Sequence, residues 1–428
     1  MKILFVQHQG FINGQGGTEK MCSFLANLFV EQGHEVRIST CENVIGKPIF
    51  PLLKEVVVHN IYRPEIKQIK VLPYINYSGN SILKWIGGKI KKKYAKAYNR
   101  IYLKWRFDKN EEEIYAYNLL QRAKVWNEFL NQQKPSIIIT MSLQSVVEIT
   151  FQNDIQIPII NSVNGRPDYD YAPPFRKLFH MEEQLLRAGY KQMAGLQVLL
   201  PSYQQYVPKD FKGIAKTIAN PVLQVNNERI VDHLTPKKRY KMMHLGTLNT
   251  YCKQQDLAIQ AFALLANKYP NWDLEFWGEG NDKIKLEKLI KSYGLSDRIF
   301  LKGFTSQPIQ VLKEASLFVF PSKFEGFPLA LVEAMAVGLP CVGFASCSGV
   351  NELIQHKTTG YLVNDLQELV IYLDILMGNP QVRADYGILG NCYSKDFQEQ
   401  LISEKWIELI KEIKNKYVSK EEDTILYA

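Results

Sequence analysis

Residues 325 to 333 read Glu-Gly-Phe-Pro-Leu-Ala-Leu-Val-Glu. They follow an apolar run, Leu317-Phe-Val-Phe320, and open a helical apolar pattern at Leu329, Leu331, Val332, Ala334, Met335 and Ala336. A short apolar run, a glycine-containing turn and then a 3.6-residue period predict a buried strand, a tight loop and a helix start. Gly326 permits a sharp turn or a close backbone approach, and Pro328 suits the first helical position, where an amide would go unpaired. The free amides and positive dipole end of such a helix form an anion site, most naturally for phosphate. Glu325 falls in the loop before the helix and Glu333 about one and a half turns into it, one carboxylate on each side of that site. Carboxylates accept hydrogen bonds only, which suits the paired hydroxyls of a ribose or hexose.

The same alternation extends outward in both directions. Around the stretch, strands are predicted at 242–245, 274–277, 299–301, 317–320 and 341–344, with helices at 255–268, 282–293, 309–315 and 328–337. The first half gives strands at 3–6, 36–40, 137–140, 157–160, 196–200 and 214–218, and an amphipathic helix at 19–32 stopped by Gly33. Strands alternating with helices predict an α/β chain with parallel sheets covered on both faces. With 428 residues, two domains are expected. The first spans 1–221, interrupted by a basic, aromatic helical insertion at about 62–130. Asn220-Pro221 opens a polar linker over 222–239, and the second domain spans 240–396. An amphipathic helix in 397–428 is expected to cross back to the first domain. Two doubly wound, Rossmann-like domains facing a cleft would hold a ligand at the carboxyl ends of their strands.

Composition narrows the class. The chain is 46% apolar, yet no run of about 18 apolar residues exists to span a bilayer. Residues 1–6 are too short an apolar run for a secretion signal and read as the first buried strand, so a cytoplasmic protein is expected. The six cysteines include no Cys-x-x-Cys pair and predict reduced thiols. Charge is uneven: residues 84–109 hold ten Lys/Arg and one acid, a balance of +9, equal to that of the whole chain.

Three further motifs converge on phosphate and sugar chemistry. Gly14-Gln-Gly16-Gly17-Thr18 lies between the first strand and first helix, and Gly246-Thr-Leu-Asn-Thr-Tyr-Cys-Lys253 follows the first strand of the second half. Gly278-Glu-Gly280 ends the next strand. Together with the Glu-x7-Glu stretch, the chain resembles the retaining nucleotide-sugar glycosyltransferases of family 4, of the bacterial cell-surface polysaccharide and lipopolysaccharide type, which have the GT-B fold. The likeness is dense from His244 to Val363, including Asn351-Glu-Leu-Ile354 and Thr359-Gly-Tyr-Leu-Val363. In the first half it rests on Gly16-Gly17-Thr18-Glu19 and Gly33-His-Glu-Val36.

The resemblance implies roles for particular positions. Glu325 would contact hydroxyls of the donor sugar, the segment Gly326, Phe327, Pro328, Leu329 would hold the diphosphate, and Glu333 would bind the ribose. Lys253 would neutralise the diphosphate, while Gly16 and Gly17 let the first domain close on it. Members usually carry an arginine directly after the glycine matching Gly246; here Thr247 stands there, with Lys323 or Lys302 as substitutes. Where members often have an acceptor-side histidine, the match is Asn164. Fixed amides and Lys253 can stabilise a diphosphate leaving group in place of magnesium. No Asp-x-Asp segment is read as a metal site, and no cofactor is implied beyond the substrate nucleotide sugar, UDP favoured over GDP. With no carboxylate evidently placed as a nucleophile, retention points to front-face attack in which the leaving phosphate takes the acceptor proton. The implied acceptor is a lipid-linked or cell-surface glycan. Two other readings stand beside this one: a nucleotide-sugar 2-epimerase of the same shape, and a non-catalytic membrane-binding protein with a vestigial nucleotide site, as Thr247 would allow.

The basic segment interleaves cations with aromatics. Lys84, Lys89, Lys91, Lys92, Lys93 and Arg100 alternate with Trp85, Tyr94, Tyr98, Tyr102 and Trp105. That pairing suits an anionic bilayer surface, where each cation contributes about 1 kcal/mol. No nucleic-acid fold signature appears. A peripheral position at the inner face of the cell membrane is therefore expected.

Overall fold

The computed structural model describes residues 1–72, 82–108, 110–174 and 177–426. The first sheet contains β1 (Lys2–Val6), β2 (Glu35–Thr40), β3 (Val57–Asn60), β4 (Ile137–Thr140), β5 (Ile159–Ser162), β6 (Gly195–Val198) and β7 (Ile214–Thr217), in the order β3-β2-β1-β4-β5-β6-β7. The second contains β8 (Tyr240–Leu245), β9 (Trp272–Trp277), β10 (Ile299–Gly303), β11 (Leu317–Phe320), β12 (Cys341–Phe344) and β13 (Gly360–Val363), in the order β10-β9-β8-β11-β12-β13. Every pairing in both sheets is parallel. The α/β, doubly wound expectation holds. Strand order reverses between β1 and β4 and again between β8 and β11, so each sheet has a crevice at those strand ends.

Central strands are apolar because both faces are covered. All four residues of β4 and of β11 are buried. Two strands fall outside the sequence expectation. β3 is an edge strand with only partly covered residues, and its short Val-Val-His-Asn sequence lacks the apolar signature of a buried strand. β13 begins on Gly360 in the Thr-Gly-Tyr-Leu-Val motif, too short a run to stand out by pattern.

The deciding stretch also differs in detail. Its helix spans Leu329–Ala336, and Pro328 is the residue before it, with φ −74° and ψ 78°, instead of the first helical residue. The Leu329 amide turns back to the Phe327 carbonyl at 2.8 Å, a tight turn that sets the entry angle of the helix.

Within the basic region a helix at Ile82–Ala97 continues through a π-helical turn at Tyr98–Tyr102 into Leu103–Phe107. Leu103 and Phe107 pack with Ile69 and Ile114 in a small cluster of their own. The next helix, Glu111–Gln133, is capped by the Asn110 side chain and buries Leu119, Trp126 and Leu130 in the main core. The last helix, Glu399–Leu426, lies against β7: Lys216 Nζ on that strand reaches Glu412 Oε1 at 2.5 Å and Glu408 Oε2 at 3.1 Å. Its Trp406, Leu409 and Ile413 are buried. No helix among the described residues is long and apolar enough to cross a membrane.

Candidate active site between the two domains

The carboxyl ends of both sheets border one cavity of about 610 Å³, walled by His8, Gln9, Thr18, Glu19, Ser142, Asn164 and Asp170 from the first domain and by Lys253, Phe324, Glu325 and Gly326 from the second. The loop after β11 carries Glu325 into it. Lys253 arrives on a short helix, Thr250–Lys253, whose first turn is capped by Asn249. Lys253 Nζ sits 2.5 Å from Glu325 Oε1, and both side chains are largely buried. A charge-assisted contact in so shielded a place holds both groups in one geometry.

Two helix starts face each other across this gap. The helix Gly17–Glu31 begins with Gly16 as its cap and no side-chain cap, and Leu329–Ala336 likewise has none. A Cβ built on Gly17 would lie 3.3 Å from Leu329 Cδ1, so the two starts are in contact. The amides of Gly326, Phe327 and Ala330 make no hydrogen bond among the described residues. Two helix starts and one lysine thus converge here, with the carboxylates of Glu19 and Glu325 beside them, so an anion would meet amides and Lys253 while the carboxylates remain for hydroxyl groups.

Close approach of backbone requires glycine at Gly326, whereas Gly16 faces a movable side chain. A Cβ on Gly326 would lie 2.2 Å from the Asn164 carbonyl oxygen, so only glycine lets the two domains meet at this point. A Cβ on Gly16 would lie 2.5 Å from the Glu19 carboxylate, which Gln7 also holds through a 2.7 Å hydrogen bond. Tyr203, buried under the loop, donates its hydroxyl to the Gly326 carbonyl at 2.7 Å.

Glu333 is placed one helix turn beyond the loop, almost fully buried, and its Oε1 accepts from Lys20 Nζ at 2.6 Å. Lys20 belongs to the first domain. Glycine spacing drew the sequence reading to Gly16 and Gly17 and passed over this lysine three residues on, although it lies on the same helix. Arg166, two residues after Asn164, was likewise missed. Its guanidinium grips Asp168 at 2.6 and 2.8 Å, lies between Tyr169 and Tyr206, and reaches Ser348 Oγ of the second domain at 3.1 Å.

Asn164 lines the cavity, but its side-chain amide is already donated to the Met141 carbonyl at 2.8 Å and the Ser162 carbonyl at 3.1 Å. Thr247 is exposed, with its carbonyl accepting from Gln255. Neither Lys302 nor Lys323 lines the cavity: Lys302 lies over Trp277, and Lys323 over Tyr251 and Phe324. Lys253 is the cation the second domain brings to the lining.

The titrating groups divide by burial. His244 is fully buried, stacked on Phe318 and Phe320, and burial lowers it to about 3, so it is a neutral core residue. Burial also lowers His8, whose Nδ1 contacts Ser145 Oγ at 2.9 Å. Burial, with Asp168 next in weight, pushes Asp170 up to about 7. Asp168-Tyr169-Asp170 has Asp-x-Asp spacing, but Arg166 occupies the first carboxylate and burial holds the second partly protonated at neutrality. Among the described residues no three His, Cys, Asp or Glu side chains cluster as metal ligands do.

Much of the second domain matches a known sequence family. Residues 225–389 match the glycosyl transferases group 1. An uncharacterized glycosyltransferase of Haemophilus influenzae is 32% identical to the chain over 192 residues, 44% of this chain and 53% of that relative. A poly(ribitol-phosphate) alpha-N-acetylglucosaminyltransferase of Staphylococcus aureus is 31% identical over 164 residues, 37% of this chain and 32% of that one. The chain thus aligns with about half or less of the length of these relatives. In three dimensions, TarM of S. aureus, solved with Fondaparinux, alpha-GlcNAc-glycerol and UDP, superposes with a TM-score of 0.69 at 16% identity, covering 95% of this chain and 99% of that one. The two parallel sheets of this chain thus share the GT-B fold of TarM.

Proposed function

We propose that this protein is a glycosyltransferase of cell-surface polysaccharide synthesis, moving a hexose or N-acetylhexosamine, with retention, from a nucleotide-diphosphate sugar to a lipid-linked or glycan acceptor. The observation that carries the reading is the Lys253–Glu325 pair in one interdomain cavity, lined also by Thr18 of the uncapped helix Gly17–Glu31 and by Gly326 of the loop that leads into the uncapped helix Leu329–Ala336. Free amides and an ammonium placed before the reaction need no reorganisation as charge develops on a leaving diphosphate. Support also comes from the relative named for N-acetylglucosaminyl transfer to poly(ribitol phosphate) and from the UDP bound in TarM.

In this reading the diphosphate lies at the starts of the helices Gly17–Glu31 and Leu329–Ala336, with Lys253 beside it. Glu325 accepts from hydroxyls of the donor sugar, and Glu333 accepts from the ribose, exchanging Lys20 for it. The acceptor hydroxyl enters from the first domain and attacks C1 on the face the diphosphate leaves. The C1–O bond to phosphate breaks, the new C1–O bond forms, and the acceptor proton passes to the departing phosphate oxygen. Glu325 is held by Lys253, and Asp170, raised to about 7 by burial, is partly protonated at neutrality, so neither is a fully available nucleophile. Thus the charge of the leaving group falls on protein amides and Lys253.

A second element of the proposal concerns the basic helix. Leu83, Ile90, Tyr94, Ile101 and Trp105 are each more than 60% exposed, an apolar set amid lysines that suits a membrane interface. Lys89 Nζ lies 3.7 Å from the Trp85 ring, so cation and ring can enter the headgroup region together. The experiment is incubation with a panel of UDP- and GDP-sugars, with and without lipid-linked glycan extract. Nucleotide released only with acceptor supports a transferase. A changed sugar without acceptor indicates an epimerase, and no turnover supports a vestigial site.

A further inference from the structure

Three cavities run in series over the carboxyl ends of the first sheet. The interdomain cleft shares His8, Gln9, Ser142 and Asp170 with a smaller cavity of about 370 Å³. That cavity meets a third, of about 690 Å³, at Gln9 and Arg122. The third lies beyond the ends of β1, β2 and β3, on the side of the switch point away from the reacting groups. A groove leading from the cleft along the first domain is where an acceptor chain has room to lie.

The third cavity is positively charged for a specific reason. Arg63, Lys67 and Lys70 line it. Lys67 and Lys70 are exposed and make no ion pair among the described residues. The one carboxylate in the lining, Glu42, is turned inward: it accepts from the amides of Gly10, Phe11 and Ile12 at 2.9 to 3.1 Å and from the Thr40 hydroxyl. Its charge is therefore committed to the backbone after β1. Arg122 is bound by Glu148 and Gln68, and Arg63 reaches outward to Glu128 at 2.7 Å. Two uncommitted ammonium groups remain over a concave surface, and such clefts concentrate their field on an entering anion. A neutral glycan could accept hydrogen bonds from them but would gain nothing from their charge.

We infer that this cavity binds an anionic group of the acceptor, a phosphodiester or a carboxylate carried along a glycan chain, with Lys67 and Lys70 as its cations. The inference rests on the transferase reading and adds the acceptor's chemical class. It places the anion away from the reacting hydroxyl, so the acceptor carries charge within its repeating chain and not only at the attacking sugar.

The test is calorimetric binding to the full chain at 0.15 M salt. The probes are a synthetic glycerol-phosphate hexamer, a hexagalacturonate and neutral maltohexaose. At least one anionic hexamer should bind tenfold or more tightly than maltohexaose. The double variant Lys67→Gln/Lys70→Gln should weaken that binding at least fivefold without changing its melting temperature or its affinity for UDP. The helix variant Lys89→Gln/Lys91→Gln/Lys93→Gln should retain it. Phosphatidylglycerol vesicles, which present the same phosphodiester from a lipid headgroup, should sediment equally with wild type and the Lys67/Lys70 variant. The inference is overturned if neither anionic hexamer outbinds maltohexaose, if the Lys67/Lys70 variant binds the anionic hexamer as wild type does, if the helix variant alone loses it, or if the vesicles alone depend on Lys67 and Lys70. Absence of UDP binding alongside intact hexamer binding would instead count against the transferase reading and leave the anion site standing.

Discussion

Lys20 Nζ lies 2.6 Å from Glu333 Oε1, joining the first helix of one domain to the helix after Gly326 in the other. Glu333 is nearly buried while Lys20 is 41% exposed at its side chain. An exposed lysine is screened by solvent, which limits what its ion pair contributes. The contact is therefore weak enough for ribose hydroxyls to displace Lys20 from Glu333. Glu333→Ala should raise the donor KM about tenfold with kcat changed less than threefold, because ribose contacts are equal in ground and transition states. Lys20→Ala should move KM less than fivefold. Steady-state kinetics with the preferred donor checks both, and a Glu333→Ala effect confined to kcat would contradict the ribose role.

Lys253 and Glu325 should behave as a unit. Each change to alanine should cut kcat/KM at least tenfold, since both groups act at the leaving diphosphate or the donor sugar. Truncating one partner leaves a buried charge unpaired, so each single variant should also lower the melting temperature by a few degrees, from a cost of about 1–3 kcal/mol. The double variant removes both charges and should lose less stability than the two single variants summed. Thermal melts of the three variants give the coupling; strict additivity would mean that the pair does not interact in solution.

Asp170 predicts a pH-dependent stability difference. Its folded value of about 7 exceeds the ordinary 3.8, so between those values the folded chain holds a proton that the unfolded chain releases. That contribution is lost as pH rises through the window. Asp170→Asn should therefore gain stability relative to wild type from pH 4 to pH 7, by at most about 1.4 kcal/mol per pH unit, and level off above. Melting both proteins at four pH values tests the sign. A constant offset would show that Asp170 is an ordinary, ionised carboxylate.

If the helix Ile82–Ala97 lies at a membrane surface, the protein should sediment with anionic vesicles, bind neutral ones poorly and be released by salt. At 1 M ionic strength the Debye length falls to about 3 Å. Replacing Lys89, Lys91, Lys92 and Lys93 with Gln should weaken sedimentation at least threefold, leaving UDP affinity intact. Full sedimentation of that variant, or none by wild type, would reduce the segment to a solvated surface.

The parallel two-sheet fold was legible because central strands covered on both faces must be apolar, as in Leu317–Phe320, and because the intervening helices show their 3.6-residue period. β3 was not, since an edge strand such as Val57–Asn60 need not be apolar. Glu325, Gly326 and Lys253 could be read as one group because each follows a strand end, where doubly wound sheets bind ligands. Lys20, Asp170 and Arg166 could not. The contacts of Lys20 and Arg166 depend on how the two domains meet, the burial that raises Asp170 depends on tertiary packing, and no local period or turn chemistry encodes a contact between residues 313 positions apart, as Lys20 and Glu333 are.

The most direct measurement is a crystal structure with bound UDP. The account predicts the diphosphate at the start of the helix Leu329–Ala336, with a phosphate oxygen about 3 Å from the Phe327 or Ala330 amide and from Lys253 Nζ, and the ribose hydroxyls on Glu333 in place of Lys20. UDP bound elsewhere, or with its diphosphate turned away from Lys253 while Lys20 still holds Glu333, would contradict it.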